Sequence, residues 1–296
     1  MTGDPRVSIV IPAFNAAATL ARALDSVRAQ SFTAWEAIVV DDAGREDGTA
    51  ARVASYADSR LRLIRRSERG GPSRARNDGI AAARGEFIAF LDADDEWLPE
   101  KLARQVEILA KDPGVSLVAC DMRALYEDGH EGLSVFARQA PVEGKTAWKA
   151  LLASSFIGTS SVLTRRALLR EFDGFDPGLA VGEDQDVFIR LAMRGAVVAL
   201  PEQLAVYHYR GSSYSAGLAT AQADHVLRMV RRHLADVGDS LTVRERRNIL
   251  AQRYGRLGRN LIEAGAKMRG ALLILGAALR GSIPRTNLAA LAGLLR

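Results

Sequence analysis

Over roughly the first hundred residues, short β-branched apolar runs alternate with segments whose apolar positions recur at helical spacing. This is the pattern of a parallel sheet covered by crossover helices. It predicts strands at Val7–Ile11, Glu36–Val40, Leu61–Arg65 and Phe87–Leu91. Between the first two, Leu20, Leu24 and Val27 share one helical face; after the fourth, Pro99 opens a helix whose Leu102, Val106 and Leu109 do the same. Each crossover puts its loop at the carboxyl edge of the sheet, where open α/β sheets bind ligands.

Beyond about Gly114 the pattern loosens. It predicts a strand at Val115–Cys120, a Gly- and Glu-rich connection through Gly144, a helix near Thr146–Ala153 and a strand near Ser161–Thr164. A helix over about Glu183–Met193 follows, then strands at Val197–Leu200 and Leu204–Tyr207. After roughly Ala216 the chain reads as helical and Arg-rich, with interruptions at Gly255, Gly258, Gly265, Gly270 and Gly276. The expected organisation is an α/β domain over residues 1–215 and a basic, mainly helical extension over 216–296.

At 296 residues the chain can bury a full core without staples. The single cysteine, Cys120, lies in an apolar run and points to a reducing compartment. Met1 to Arg6 is polar, unlike a secretory leader, so the protein is expected in the cytoplasm. No window approaches the roughly 18 consecutive apolar residues of a spanning helix. Charge is uneven: residues 216–296 hold 14 Lys+Arg against 5 Asp+Glu, a balance of +9 that leaves −4 on the first 215.

Acidic clusters stand at the ends of the predicted strands. Asp41-Asp42 closes the second, placed to hydrogen-bond a base or ribose, or else to cap a helix. The first strand runs into Ile11-Pro12-Ala13-Phe14-Asn15, a Pro-fixed turn able to offer backbone groups to a flat ring. Asp92, Asp94 and Asp95 crowd within four residues after the fourth strand. Their mutual repulsion is relieved by a hard divalent cation, Mg²⁺ or Mn²⁺, which takes a few carboxylate oxygens and completes its shell with waters and phosphates. The plainer alternative is a solvated turn capping the next helix. Gly70-Gly71-Pro72-Ser73-Arg74-Ala75-Arg76-Asn77 is a glycine turn opening a helix, where amides and arginines suit phosphate oxygens. In Gly182-Glu183-Asp184-Gln185-Asp186, Asp184 shares a helical face with Val187, Phe188 and Leu191; an ionised acid facing inward there is a candidate general base, or a capping carboxylate.

Taken together, residues 7–15, 36–42, 70–80, 85–97 and 174–195 resemble, in order and spacing over roughly 6–215, the inverting GT-A-fold glycosyltransferases known as family 2. The resemblance implies an α/β nucleotide-binding fold, mostly parallel and flanked by helices. It implies transfer of a sugar from a nucleoside-diphosphate donor, UDP-linked, to the hydroxyl of a glycan or lipid-linked acceptor in cell-surface polysaccharide or glycolipid synthesis. Asp41 would contact the base and Asp42 the nucleoside, with Pro12, Ala13 and Asn15 closing over the ring. Arg76 and Asn77 would stand near the donor. Asp94 would be the principal metal ligand, Asp92 would meet donor ribose or metal, and Asp95 would support them. Asp184 would be the base and Glu183 would orient the acceptor. The chain departs from the family pattern at Ala43-Gly44-Arg45-Glu46-Asp47-Gly48, one residue longer than usual, and at Tyr207-His208-Tyr209-Arg210, where His and Arg are exchanged. There Arg210 is the expected phosphate contact.

The arginines of the extension, Arg231, Arg232, Arg244, Arg246, Arg247, Arg253, Arg256 and Arg259, suit either a solvated helical face or an acidic membrane surface. The apolar run Ala271–Leu279, flanked by Arg269 and Arg280, adds to the second reading and predicts peripheral association with the inner face of the cytoplasmic membrane. No nucleic-acid motif is present, so no nucleic-acid partner is expected. Two rival functions remain. A sugar-1-phosphate nucleotidyltransferase would carry a Gly-rich loop with Thr-Arg where this chain has Pro12-Ala13-Phe14-Asn15, and a non-catalytic nucleotide-sugar-binding protein would lack Asp184.

Overall fold

The computed structural model describes residues 4–44, 48–209, 219–281, 287 and 290. Its strands are β1 (Val7–Ala13), β2 (Trp35–Asp41), β3 (Leu61–Arg65), β4 (Phe87–Phe90), β5 (Glu96–Trp97), β6 (Val115–Tyr126), β7 (Glu131–Gly132), β8 (Leu163–Arg165) and β9 (Ala196–Tyr209). They form one sheet in the order β3-β2-β1-β4-β8-β6-β9-β5, with β7 on β6. The β3-β2-β1-β4 half is parallel throughout, β8 runs antiparallel to β4 and β6, and β6 and β9 are again parallel. The predicted fold class holds: an α/β, GT-A-type sheet with helices on its faces.

The chain divides into two compact units. The first takes the described residues of 1–147, 156–178 and 190–210, and holds the whole sheet. β2 is buried along its full length, as expected of a strand covered on both faces. The helices Leu20–Arg28 and Lys101–Lys111 bring Leu20, Leu24, Val27, Leu102, Val106 and Leu109 into one core with Ile9, Val39 and Leu91. These are the faces that the apolar spacing predicts.

Proline explains two differences from the predicted strands. Val197–Leu200 and Leu204–Tyr207 are one strand, β9, and the register steps from Cys120↔Leu200 to Asp121↔Gln203. Pro201 and Glu202 are therefore bulged out, which removes the demand for an N–H that Pro201 lacks. β1 continues through Pro12, opposite Val40. Its pairing with β4 ends at Val10, so that ladder requires no N–H from Pro12. Pro12 and Ala13 are thus strand residues rather than a turn.

The second unit takes Trp148–Ser155, Leu179–Ile189 and the described residues of 211–296. Its long helices are Ala219–Asp236, Val243–Glu263 and Lys267–Ala278. Thr242 and Glu245 form a reciprocal capping box that starts the middle one. The glycines expected to interrupt this region lie mostly inside helices. A Cβ on Gly258 would stand 2.7 Å from the carbonyl oxygen of Gly270, so these two glycines let the last two helices approach backbone to backbone.

At the amino half of β2, Glu36 is 1% exposed and accepts from Ser8 Oγ at 2.8 Å, the Arg84 amide at 2.8 Å, Arg84 Nε at 3.0 Å and Arg62 Nη1 at 3.0 Å. Burial pushes its pKa up, but these donors outweigh burial and hold the carboxyl below its ordinary value. A carboxyl depressed on folding contributes stability above its unfolded pKa of about 4.3 and loses it as pH falls through the folded value. In urea unfolding at pH 7, Glu36→Gln should cost about 2 kcal/mol. The gap between variant and wild type should narrow in the same titration as the pH is lowered from the unfolded pKa through the folded one; a gap independent of pH would show that the charge of Glu36 does not matter.

Candidate functional site

The carboxyl ends of β1 and β2 meet in a tight pair of loops. Asp41 and Asp42 are both buried. Asp41 accepts from the Gly44 amide at 3.0 Å and has Arg65 Nε 3.4 Å from its other oxygen. A Cβ on Gly44 would meet Asp41 Oδ1 at 2.9 Å and the Asn15 amide nitrogen at 3.2 Å, so the second loop closes directly on the first. Asn15 has φ 52, and Phe14 beside it lies under the guanidinium of Arg69, 3.9 Å from the ring centroid. Asp42 accepts from the amides of Gly70 at 2.8 Å and Gly71 at 2.7 Å, and Arg66 Nε stands 2.9 Å from its Oδ1 as an ion pair. Asp42 thus satisfies the first amides of the helix Gly71–Ala82. Arg66 also pairs with Asp78 in that helix.

Two side chains of this helix reach outward. Arg76 is buried and donates from Nη2 to Asp92 Oδ1 at 2.8 Å, its guanidinium 5.2 Å from the Phe175 ring centroid. Asn77 exchanges both amide hydrogen bonds with the backbone of Phe175, each 2.8 Å. The sequence reading places both near the donor. The structure gives Arg76 to the acidic loop and makes Asn77 a brace for the turn at Gly174, whose φ is 70.

Burial alternates along Leu91–Trp97: Leu91, Ala93, Asp95 and Trp97 are buried, whereas Asp92, Asp94 and Glu96 are partly exposed. Asp92 and Asp94 are thus both open to solvent, although the chain here is a turn, with the Asp95 amide donating to the Asp92 carbonyl at 3.0 Å, rather than an extended stretch. Asp95 is 1% exposed on the other side, and its oxygens accept from Ser160 Oγ at 2.6 Å and the His208 amide at 3.3 Å. Burial, with Asp92 and Asp94 close by, pushes its carboxyl well above the usual carboxylate range, against the pull of these two donors. The same negative field acts on Tyr207, whose pKa is pushed up to about 12 by burial and by Asp95, Asp94 and Asp92.

Ser160, on the turn Thr159–Ser161, holds this loop twice more, since its Oγ accepts from the Asp92 amide at 3.0 Å and its carbonyl from Trp97 Nε1 at 2.7 Å. From other sides, Arg22 donates to the Asp94 carbonyl and His208 Nε2 stands 3.3 Å from Glu96 Oε1. Sequence reasoning missed Ser160, Arg66 and Arg22, which carry no local motif. Among the described residues no three His, Cys, Asp or Glu side chains form a ready cage. Mg²⁺ and Mn²⁺ need none, since they bind through one or two carboxylates plus phosphates and water. The donor set fits such an ion: hard carboxylate oxygens on the open side of the loop, with a third, buried acid behind them whose pKa burial and its neighbours raise.

In the second unit, the helix Glu183–Ala192 begins with Glu183, Asp184 and Asp186 in its first turn. Glu183 and Asp184 are partly exposed, and Asp184 Oδ1 accepts from the Gln185 amide at 2.7 Å. Asp186 is fully buried, accepting from His233 at 2.8 Å and Arg232 at 2.7 Å. Arg210 lies outside the described residues.

Residues 8–171 match the family described as Glycosyl transferase family 2. The chain belongs to this family. It is 33% identical over 238 residues to the succinoglycan biosynthesis protein ExoO of Rhizobium meliloti (strain 1021), covering 76% of this chain and 66% of that protein. It is 34% identical over 169 residues to the UDP-Glc:alpha-D-GlcNAc-diphosphoundecaprenol beta-1,3-glucosyltransferase WfgD of Escherichia coli, covering 57% of this chain and 64% of that one. It thus spans less than two thirds of the length of these curated relatives. Among solved structures, the mannosyltransferase PcManGT of Pyrobaculum calidifontis, in complex with GDP-Man and Mn²⁺, superposes with a TM-score of 0.68 at 25% identity, covering 99% of this chain and 81% of that one.

Ser160→Ala would strip the Asp92 amide of its acceptor and Asp95 of a donor within a buried cluster. It should cost about 1–3 kcal/mol in chemical unfolding. An unchanged unfolding midpoint would mean that these hydrogen bonds do not hold the loop.

Proposed function

We propose that the chain is a metal-dependent inverting glycosyltransferase that moves a hexosyl group from a UDP-linked sugar to a hydroxyl of a glycan or lipid-linked acceptor, in cell-surface polysaccharide or glycolipid synthesis. The observation that carries this reading is the acidic loop: Asp92 and Asp94 on its open side, Asp95 buried behind them and Arg76 against Asp92. The names of the relatives support it, since one acts on UDP-Glc and a diphosphoundecaprenol-linked sugar, and the mannosyltransferase structure holds a nucleotide sugar and Mn²⁺. On this reading residues 1–215 form the catalytic domain and 216–296 the extension.

Asp94 would hold Mg²⁺ or Mn²⁺ with help from Asp92, and Asp95 would shape the loop from behind. When bound, the cation neutralises charge on the departing diphosphate. Asp41 and the backbone at Pro12, Ala13 and Asn15 would bind the nucleoside. Asp42 has both oxygens engaged by Gly70, Gly71 and Arg66, so its part in nucleoside binding would be to hold the helix that begins there. Arg76 and Asn77 would serve the donor indirectly, through Asp92 and the Phe175 turn, and Arg210 is assigned to phosphate. In the reaction the acceptor oxygen bonds to the anomeric carbon as the bond from that carbon to the diphosphate oxygen breaks. Asp184 takes the acceptor's proton, with Glu183 orienting the acceptor.

No helix among the described residues is long and apolar enough to cross a membrane. We place the protein in the cytoplasm, peripheral on the inner face of the membrane. Met268, Leu272, Leu275 and Leu279 support this, being 81%, 63%, 51% and 82% exposed at the spacing of one helical stripe.

A thermal-shift screen of nucleotide sugars should show a donor that raises Tm only with Mn²⁺ or Mg²⁺ present, by mass action, and Asp94→Ala should abolish that rise. Asp184→Asn should keep the donor-induced shift but lower kcat by about 10²–10⁴-fold; wild-type turnover by this variant would remove Asp184 as the base. In sedimentation with anionic vesicles, Leu272→Glu/Leu275→Glu should stay in the supernatant while wild type pellets. Equal partitioning of the two would count against the membrane assignment.

A further inference from the structure

Buried polar groups of the second unit converge on the turn that carries Asp184. Arg253, in the helix Val243–Glu263, is 3% exposed. Its Nε donates to the Leu152 carbonyl at 2.9 Å, Nη2 to the Leu151 carbonyl at 2.6 Å and Nη1 to Gln185 Oε1 at 3.0 Å. One planar guanidinium thus ties the residue after Asp184 to the end of the helix Ala147–Ala153. The next residue, Asp186, is gripped by His233 and Arg232 of the helix Ala219–Asp236.

Neighbouring residues on a helix point about 100° apart around its axis. Anchors at Gln185 and Asp186 therefore oppose rotation of the first turn in two directions, adding to the hold of the buried Val187 and Phe188 that follow. The neighbouring Arg256 donates to Ser154 Oγ, extending the same bracing. None of these arginines stands near the acidic loop in sequence, and none belongs to a recognised motif of the family resemblance.

We propose that Arg253 is a positioning residue for the reaction: acting through Gln185, with the Asp186–His233 contact as the second anchor, it sets the orientation of Asp184. The inference rests on the reading of Asp184 as the base. The extension after residue 215 is then a working part of the catalytic apparatus rather than an appendage. A base displaced by about 1 Å loses on the order of 10²-fold in rate, so a buried clamp two helices away carries catalytic weight without touching substrate.

The test uses the full chain and four variants, Arg253→Met, Arg253→Lys, Gln185→Ala and the double Arg253→Met/Gln185→Ala. Each is assayed for sugar transfer below its own melting temperature. Gln185→Ala, which removes no buried charge, keeps the question open to experiment if Arg253→Met folds poorly. Arg253→Met and Gln185→Ala should each lower kcat by roughly 10-fold or more with donor KM nearly unchanged. The double variant should be no slower than the slower single, as expected of residues acting in one chain, and Arg253→Lys should recover part of the loss. Hydrogen exchange at the amides of residues 186–189 should be faster in Arg253→Met and unchanged in the helix Lys101–Lys111.

Wild-type kcat in folded Arg253→Met, losses that multiply in the double variant, or unaltered exchange at 186–189 would each overturn the proposal. A fully active Asp184→Asn with faster exchange in Arg253→Met would be a different result. It would show a clamp on this turn but no base within it, so the failure would lie with the base assignment.

Discussion

Three carboxylates forced together at the end of β4 are the constraint around which the first unit is organised. Like charges close together raise one another's pKa, most of all where one of them is buried. The fold resolves this by sorting them: Asp92 and Asp94 face the open side, and Asp95 is turned inward onto the Ser160 hydroxyl and the His208 amide. Arg76 balances Asp92, and Arg22 holds the backbone at Asp94. The arrangement leaves a negative field that adds to burial in raising the pKa values of Asp95 and Tyr207. A divalent cation together with a diphosphate matches that field in charge and in ligand type.

Much of the surrounding structure holds these acids in register. β5 places Glu96 and Trp97 against β9, the strand that supplies His208 to Asp95. Trp97 reaches the carbonyl of the same Ser160 whose hydroxyl bridges Asp92 and Asp95. Motif residues that look like ligand contacts are partly braces of this kind. Asp42 closes the amino end of the helix Gly71–Ala82, and Asn77 locks the Phe175 turn with both ends of its amide.

The basic extension has a different character from the one its composition suggests. Arg232, Arg253, Arg256 and Arg269 donate to groups within the second unit, and Arg246 to the carbonyls of Leu234 and Gly238. Of the arginines assigned to a solvated or lipid-facing surface, Arg231, Arg232, Arg244 and Arg247 are exposed, whereas Arg253 is buried. Apolar side chains, not cations, make up the exposed stripe of the last described helix. Net charge counts cations but cannot tell a guanidinium in water from one bonded to carbonyls inside the protein.

Periodicity and residue type alone determined the parallel half of the sheet, the buried faces of its two main covering helices and the family, because these depend on local spacing and on short runs such as Phe90-Leu91-Asp92-Ala93-Asp94-Asp95. Tertiary structure decided what those spacings do not encode. It carried β9 through Pro201 with a bulge, turned Gly258 and Gly270 from breaks into a helix crossing, and brought Ser160 to Asp95 and Arg253 to Gln185. Such partners lie far apart along the chain, and only the closing of the fold makes them neighbours.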